Sequence, residues 1–138
     1  YFDPSDLLST ADFVSLHIPL TLETRHFIGE RELRMMKPTS ILVNAARGGV
    51  VDSQALYTAL SEGWINGAAL DVTDPEPILP DDPLLTLQNL VITPHIGSAS
   101  IASRRHTCLL AARNVVAGIQ GRRLEACANP EVYAAKGI

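Results

Sequence analysis

Four short apolar runs, each separated from the next by a segment of helical character, constrain the fold of this chain most strongly. The runs occupy residues 12–18, 40–44, 67–72 and 90–93. Strands that are continuously apolar, rather than alternating with polar residues, are typical of a parallel sheet covered on both faces. Helices between successive strands favour the same arrangement. The sequence therefore predicts an α/β fold with a doubly wound parallel sheet.

Capping residues indicate where the first three helices begin and end. Asp3 precedes a proline and opens a short helix, because its side chain is suited to accept from the free backbone N–H groups of the first turn. A second helix is expected over residues 30–36. Asp52 is placed to cap a third helix, which Gly63 ends.

The C-terminal third of the chain contains one long predicted helix. Ser100 is its expected N-cap, its apolar residues recur at helical spacing, and Gly121 closes it. Cys108 falls on the apolar side, which predicts a small buried core residue. The segment between the third and fourth strands and the segment after the long helix are less regular. Residues 74–83 contain four prolines and form an irregular loop, and residues 122–138 form a tail of weak periodicity.

Composition excludes several classes of partner. The net charge is −4, which gives no electrostatic support for binding a nucleic acid or an anionic membrane. No apolar run approaches the roughly 20 residues that cross a bilayer, and the first residues lack the pattern of a signal peptide. The two cysteines, Cys108 and Cys127, are far apart and have no metal-type spacing. We expect a cytoplasmic protein with no metal site.

Arg47 is the first of three ionisable residues that follow predicted strands. It lies in the loop after residues 40–44, directly before Gly48 and Gly49. Glycines allow a sharp turn and a close approach of ligand to backbone, and a planar guanidinium binds a carboxylate through two parallel hydrogen bonds. An exposed loop arginine with no function is the alternative.

His95 and Glu76 are the other two ionisable residues that follow predicted strands. His95 follows the fourth strand directly after a proline, and histidine changes charge near neutral pH. Glu76 stands between two prolines, which restrict the backbone and aim its carboxylate. A carboxylate that reaches His95 would favour the imidazolium and fix the orientation of the ring. The alternatives are a hydrogen-bonded structural histidine and a rigid polar loop. Since the carboxyl ends of parallel strands share one edge, we expect Arg47, Glu76 and His95 to meet there.

The ordered motifs of the chain closely resemble those of the D-isomer-specific 2-hydroxyacid dehydrogenases. Within that family, the stretch 71–77 and the residues after Pro83 are most similar to glyoxylate/hydroxypyruvate reductases. The resemblance implies a Rossmann-type sheet, here a partial one. The residues that carry it are Asn44-Ala45-Ala46-Arg47-Gly48, Val51-Asp52, Ala55-Leu56, Ala59-Leu60, Gly67-Ala68, Leu70-Asp71-Val72, Glu76-Pro77, Pro83-Leu84, Asn89 and Thr93-Pro94-His95-Ile96-Gly97.

The resemblance also implies a role for each site residue. Arg47 would bind the substrate carboxylate and polarise the carbonyl, His95 would donate the proton, and Glu76 would be the partner of His95. Asp71 and the carbonyl of Ala45 would orient the nicotinamide amide. The substrate would be a small 2-keto or 2-hydroxy acid such as glyoxylate or hydroxypyruvate. The residues expected to contact the cofactor, NAD or NADP, are Pro19, Ala45, Arg47, Asp71, His95, Gly97 and Ser98.

The chain departs from the family pattern in length. Members of the family are much longer and carry a Gly-rich phosphate-binding loop, whereas this sequence has no G-x-G-x-x-G. The expectation is a sequence fragment or incomplete gene model without the loop and the substrate domain. Residues 1–121 would form the C-terminal part of the cofactor domain with its return helix, and residues 122–138 the tail. Such a chain alone is expected to bind dinucleotide very weakly.

Two other functional classes remain open at this point. The same fold serves related transcriptional corepressors, so a non-catalytic module for dinucleotide sensing or protein interaction is one alternative, and a structural remnant is another. The presence of Arg47, Glu76 and His95 together favours the enzyme, because a pure sensor needs no acid–base pair. The resemblance further implies a homodimer for the full-length protein.

Overall fold

The computed structural model describes residues 3–136. The chain divides into two compact units, the first ending at Gly97 and the second beginning at Ser98. Among the described residues, no helix is both long enough and apolar enough to span a membrane.

A parallel sheet organises the first unit. Its strands pair in sequence order, and all three pairings are parallel. One row of the register joins Leu16, Asn44, Leu70 and Ile92, the last residue of each strand. The predicted α/β fold is thus confirmed, and every loop that leaves a strand starts from the same edge. The strands are β1 (Phe13–Leu16), β2 (Ile41–Asn44), β3 (Gly67–Leu70) and β4 (Leu90–Ile92).

The core of the first unit lies between the sheet and three helices. These are α1 (Pro4–Thr10), α2 (Glu30–Met35) and α3 (Ser53–Ser61). Their buried leucines pack against one face of the sheet, on which Leu42 and Leu70 lie. On the other face Phe13 is 71% exposed and Val91 is 61% exposed. The three helices of this unit therefore cover one face of the sheet, although the strands are continuously apolar.

The predicted caps of the first unit are confirmed. The carboxylate of Asp3 accepts from Ser5 N at 2.9 Å, and that of Asp52 accepts from Gln54 N and Ala55 N at 3.0 Å. Gly63, which follows the C-cap residue Glu62 of the third helix, has a φ of +72°. The strands are one to three residues shorter than predicted. Two short 3-10 turns, Gly48–Val50 and Pro83–Thr86, were not predicted.

The second unit contains the predicted long helix, α4 (Ile101–Ile119), and a short α5 (Val132–Lys136) that was not predicted. Ser100 caps α4 by accepting from Ser103 N at 3.1 Å. The prediction of a buried Cys108 is wrong, because its side chain is exposed. Helical periodicity identifies the apolar side of a helix but does not show what covers it. Here most of that side is exposed, including Ile101, Leu109, Val115, Val116 and Ile119.

Candidate active site

Four loops leave the carboxyl edge of the sheet and carry the predicted site residues. Because this edge is where open α/β sheets bind ligands, the loops define the candidate active site. Pro19 lies in the first, Arg47 in the second, Asp71 and Glu76 in the third, and His95 in the fourth. We call them the β1 loop (residues 17–28), the β2 loop (residues 45–52), the β3 loop (residues 71–82) and the β4 loop (residues 93–97).

Glu76 and His95 are in hydrogen-bonding contact across the β3 and β4 loops. Glu76 Oε1 lies 2.6 Å from His95 Nδ1. The two side chains are 42% and 46% exposed, so both remain accessible to a ligand. The carboxylate fixes the plane of the ring and turns Nε2 away from itself.

The backbone of His95 adopts a left-handed conformation, with φ at +52°. Such a conformation is uncommon for a residue with a side chain and requires support from its surroundings. His95 N donates to the carbonyl of Asp71 at 2.9 Å and to that of Thr93 at 3.0 Å. These bonds hold the turn and orient the imidazole towards the β3 loop.

The carboxylate of Asp71 holds the β4 loop in place. Oδ1 accepts from Thr93 Oγ1 at 2.6 Å and from Ile96 N at 2.8 Å, and Oδ2 accepts from Gly97 N at 2.8 Å. These hydrogen bonds, that of Thr93 foremost, lower the pKa of Asp71, with a smaller contribution from the charge of His95. Thr93 was not predicted as a site residue. Its spacing from Asp71 along the chain gave no signal for this contact.

Asn44, the buried last residue of β2, shapes the β2 loop. Its Nδ2 donates to the carbonyl of Arg47 at 3.0 Å, and its Oδ1 accepts from Ala46 N at 3.1 Å. A polar side chain at the end of an apolar strand is a usable signal, since a buried amide needs partners. Asn44 was not singled out as a positioning residue from the sequence.

Gly48 brings the β2 loop into contact with the β3 loop. A Cβ atom on Gly48 would lie 2.0 Å from the carbonyl oxygen of Thr73 and 2.7 Å from Asp74 N. No side chain fits in this space, so the close approach of two backbones requires a glycine here. The contact fixes the separation between the loop that carries Arg47 and the loop that carries Glu76.

The site residues line three neighbouring cavities. Pro19, Ala45 and Arg47 share one of about 760 Å³. Glu76 and His95 share a second of about 380 Å³. Ala45 and Gly97 share a third of about 270 Å³, which Asp71 also lines. The structure therefore brings Glu76 and His95 into direct contact, whereas Arg47 lines a different cavity.

The guanidinium of Arg47 is exposed, and its Nη1 donates to the carbonyl of Ala46 at 2.6 Å. Among the hydrogen bonds of residues 3–136, this is the one that the guanidinium makes. A guanidinium has five N–H donors, so the others are available to a bound carboxylate. Ser98 belongs to the second unit, and its expected contact with a cofactor stays a prediction.

The third cavity combines apolar walls with the carboxylate of Asp71. Its walls are mostly apolar, with Val43, Ala69, Val91 and Ile96 among the lining residues. A carboxylate has about four acceptor positions, and protein donors take three of those of Asp71. One acceptor position of Asp71 therefore remains for an N–H donor of a ligand.

Comparison with known proteins identifies the family. The sequence model described as "D-isomer specific 2-hydroxyacid dehydrogenase, NAD binding domain" matches residues 1–97. The glyoxylate reductase of Korarchaeum cryptofilum is 54% identical over 132 residues, which are 96% of this chain and 40% of the relative.

Two solved structures share the fold at high similarity. The TT0316 protein of Thermus thermophilus has a TM-score of 0.86 and 48% identity, covering 90% of this chain and 40% of that one. The D-lactate dehydrogenase of Lactobacillus jensenii with NAD+ has a TM-score of 0.84 and 33% identity, covering 91% and 42%. The chain thus spans about 40% of the length of the relatives it matches. On this evidence the chain belongs to the D-isomer-specific 2-hydroxyacid dehydrogenase family.

Proposed function

We propose that this chain provides the acid–base and carboxylate-binding part of an NAD(P)-dependent reductase. The substrate is a small 2-keto acid such as glyoxylate or hydroxypyruvate, and the product is the corresponding 2-hydroxy acid. The 2.6 Å contact between Glu76 and His95, at the ligand-binding edge of the sheet, carries the proposal. The name of the Korarchaeum cryptofilum relative, glyoxylate reductase, supports the substrate class.

Each of the three ionisable residues has a separate chemical task. Arg47 binds the carboxylate of the keto acid through charge-assisted hydrogen bonds. His95 gives its Nε2 proton to the carbonyl oxygen as the keto group becomes a hydroxyl, because Nδ1 is engaged by Glu76. Glu76 keeps the ring in this orientation and attracts its positive charge.

The cofactor, NAD or NADP, contributes hydride chemistry when bound. Asp71 and the carbonyl of Ala45 are the groups proposed to hold the nicotinamide amide. Pro19, Gly97 and Ser98 are proposed to complete that side of the site. Asp71 thereby has two tasks, since its carboxylate also holds the β4 loop that carries His95.

The remaining assignments concern the protein as a whole. Residues 1–121 are proposed as the C-terminal part of the cofactor domain and residues 122–138 as the tail. The full-length protein is proposed to be a cytoplasmic homodimer, and its free cysteines suit a reducing compartment. A dinucleotide-sensing module of the same fold does not need the Glu76–His95 pair, so the enzyme is the better-supported function.

A chimera tests the proposal directly. The matching residues of the Korarchaeum cryptofilum glyoxylate reductase are replaced by those of this chain, which are 54% identical. Glyoxylate- and hydroxypyruvate-dependent oxidation of NADH and NADPH is then followed by absorbance. We expect turnover in the chimera, and we expect His95→Ala to lower kcat/KM by about 10²- to 10⁴-fold, the usual contribution of a general acid.

The matched control is His106→Ala, which removes an exposed imidazole from α4. This variant should retain the activity of the parent chimera. If His95→Ala and His106→Ala were equally active, His95 would have no part in proton transfer. A folded chimera that binds NADH without any turnover would instead support the sensing module.

A further inference from the structure

The β1 loop connects the β2 loop to the β3 loop through Arg25. The backbone next to Arg25 is fixed to the β2 loop, because His26 N donates to the carbonyl of Gly49 at 2.8 Å and Ile28 N donates to that of Val50 at 3.1 Å. The position of Arg25 is therefore tied to the loop that carries Arg47.

The side chain of Arg25 reaches the other loop. Its Nη2 lies 3.3 Å from Oδ2 of Asp74, which is two residues before Glu76. The pair passes over Gly49, since a Cβ atom there would lie 3.1 Å from both Arg25 Nη1 and Asp74 Oδ2. Arg25 thus links the loop of the substrate-binding arginine to the loop of the glutamate that contacts His95.

The chemistry of this pair indicates what it does. Arg25 and Asp74 are 54% and 40% exposed, and exposed ion pairs add little to the stability of a fold. A small displacement of a catalytic group can nevertheless reduce the rate considerably. We infer that Arg25 and Asp74 are positioning residues that hold the β3 loop so that Glu76 stays in contact with His95. The effect of Arg25 and Asp74 on catalysis depends on the proposed function, whereas the contact between their side chains is observed independently of it.

The first test uses the 138-residue chain and NMR. The imidazole Nδ1–H proton of His95, hydrogen-bonded to Glu76, serves as the spectroscopic signature. We expect Arg25→Ala and Asp74→Asn to weaken or broaden this signal, and Arg25→Lys to restore it in part. Arg113→Ala is the matched control, because Arg113 and Glu125 form a 3.6 Å ion pair of similar exposure in the second unit. An unchanged His95 signal in both Arg25→Ala and Asp74→Asn would overturn the inference.

The second test uses the glyoxylate reductase chimera. We expect Arg25→Ala to lower kcat about two- to fivefold, the ratio that corresponds to the coupling of an exposed ion pair. The KM for glyoxylate should stay unchanged, because Arg47 binds the substrate. The double variant that combines Arg25→Ala and Asp74→Ala should have a kcat no lower than that of either single variant. Fully additive losses would overturn the inference.

The two tests separate two kinds of failure. If the proposed function is wrong, the chimera does not turn over glyoxylate, but the His95 signal of the 138-residue chain still responds to Arg25→Ala. If the positioning role is wrong, the chimera is active and Arg25→Ala matches its parent in both kcat and the His95 signal.

Discussion

The close approach of Gly48 to Thr73 leads to the sharpest prediction about this chain. In Gly48→Ala, the new methyl carbon would lie 2.0 Å from the carbonyl oxygen of Thr73. This is about 1.4 Å short of ordinary van der Waals contact, which begins at 3.4 Å. Because the opposing atoms belong to a backbone, they cannot rotate away as the end of a flexible side chain can. The β2 and β3 loops must therefore separate.

The energetic cost follows from this displacement. Inserting a methyl group where no space exists costs about 1–3 kcal/mol. We therefore expect Gly48→Ala to lower the free energy of unfolding of the chain by at least that amount. A shift of more than 1 Å in a catalytic group reduces rates by about 10²-fold. Because Arg47 and Glu76 lie on the two separated loops, kcat/KM in the chimera should fall by about that factor.

Urea unfolding followed by circular dichroism measures the first effect, and steady-state kinetics of the chimera measure the second. Gly118→Ala is the control, since its added methyl carbon would meet Leu124 Cδ2 at 3.7 Å, an ordinary contact. Alanine is the better helix former, so this control should be neutral or more stable by about 0.5–1 kcal/mol. An unfolding midpoint for Gly48→Ala equal to that of the parent would refute the close approach of the two loops.

Three further predictions concern individual side chains. The pKa of Asp71 is lowered below its ordinary value of 3.8, so its hydrogen bonds should stabilise the β4 loop above pH 3.8 and be lost as the pH falls through the lower pKa of the folded state. By NMR, the Ile96 and Gly97 amides should lose their hydrogen bonds to Asp71 only below pH 3.8, and loss of these bonds at a higher pH would contradict the prediction. Arg47→Lys keeps the positive charge but loses the planar pair of N–H donors of the guanidinium. The KM for glyoxylate in the chimera should therefore rise about 10- to 100-fold. An unchanged KM would show that Arg47 does not bind the substrate. Asn44→Ala leaves the Ala46 amide without its partner and removes one of the two hydrogen bonds that the Arg47 carbonyl accepts. Urea unfolding should therefore show a loss of about 1–3 kcal/mol, and no loss would mean that water replaces the Asn44 amide.

Much of the local structure could be predicted from the sequence. Capping residues act through hydrogen bonds within a few residues, so Asp3, Asp52 and Ser100 indicated helix starts that the structure confirms. Gly63 and Gly121 indicated the helix ends, and both have the left-handed backbone that favours glycine there. The apolar runs likewise indicated four strands, whose parallel order is confirmed.

The candidate site could be predicted in part. The sequence indicated Arg47, Glu76 and His95 as candidate site residues, because each is an ionisable residue that follows an apolar strand. The contact between Glu76 and His95 agrees with the sequence prediction. Thr93 and the Arg25–Asp74 pair did not stand out, because they are ordinary residue types in loops, whereas Asn44, a polar residue at the end of an apolar strand, gave a usable signal.

The sequence by itself determined the order of strands and helices and the chemical groups placed at the carboxyl edge of the sheet. These follow from short-range effects, namely apolar periodicity, capping and the restricted backbones of glycine and proline. Only the tertiary structure decided which groups touch. Asp71 binds amides 25 and 26 residues away, and Arg25 binds Asp74 across 49 residues. Such contacts depend on how the parallel register aligns the four strand ends, a three-dimensional property that no local pattern of residues contains.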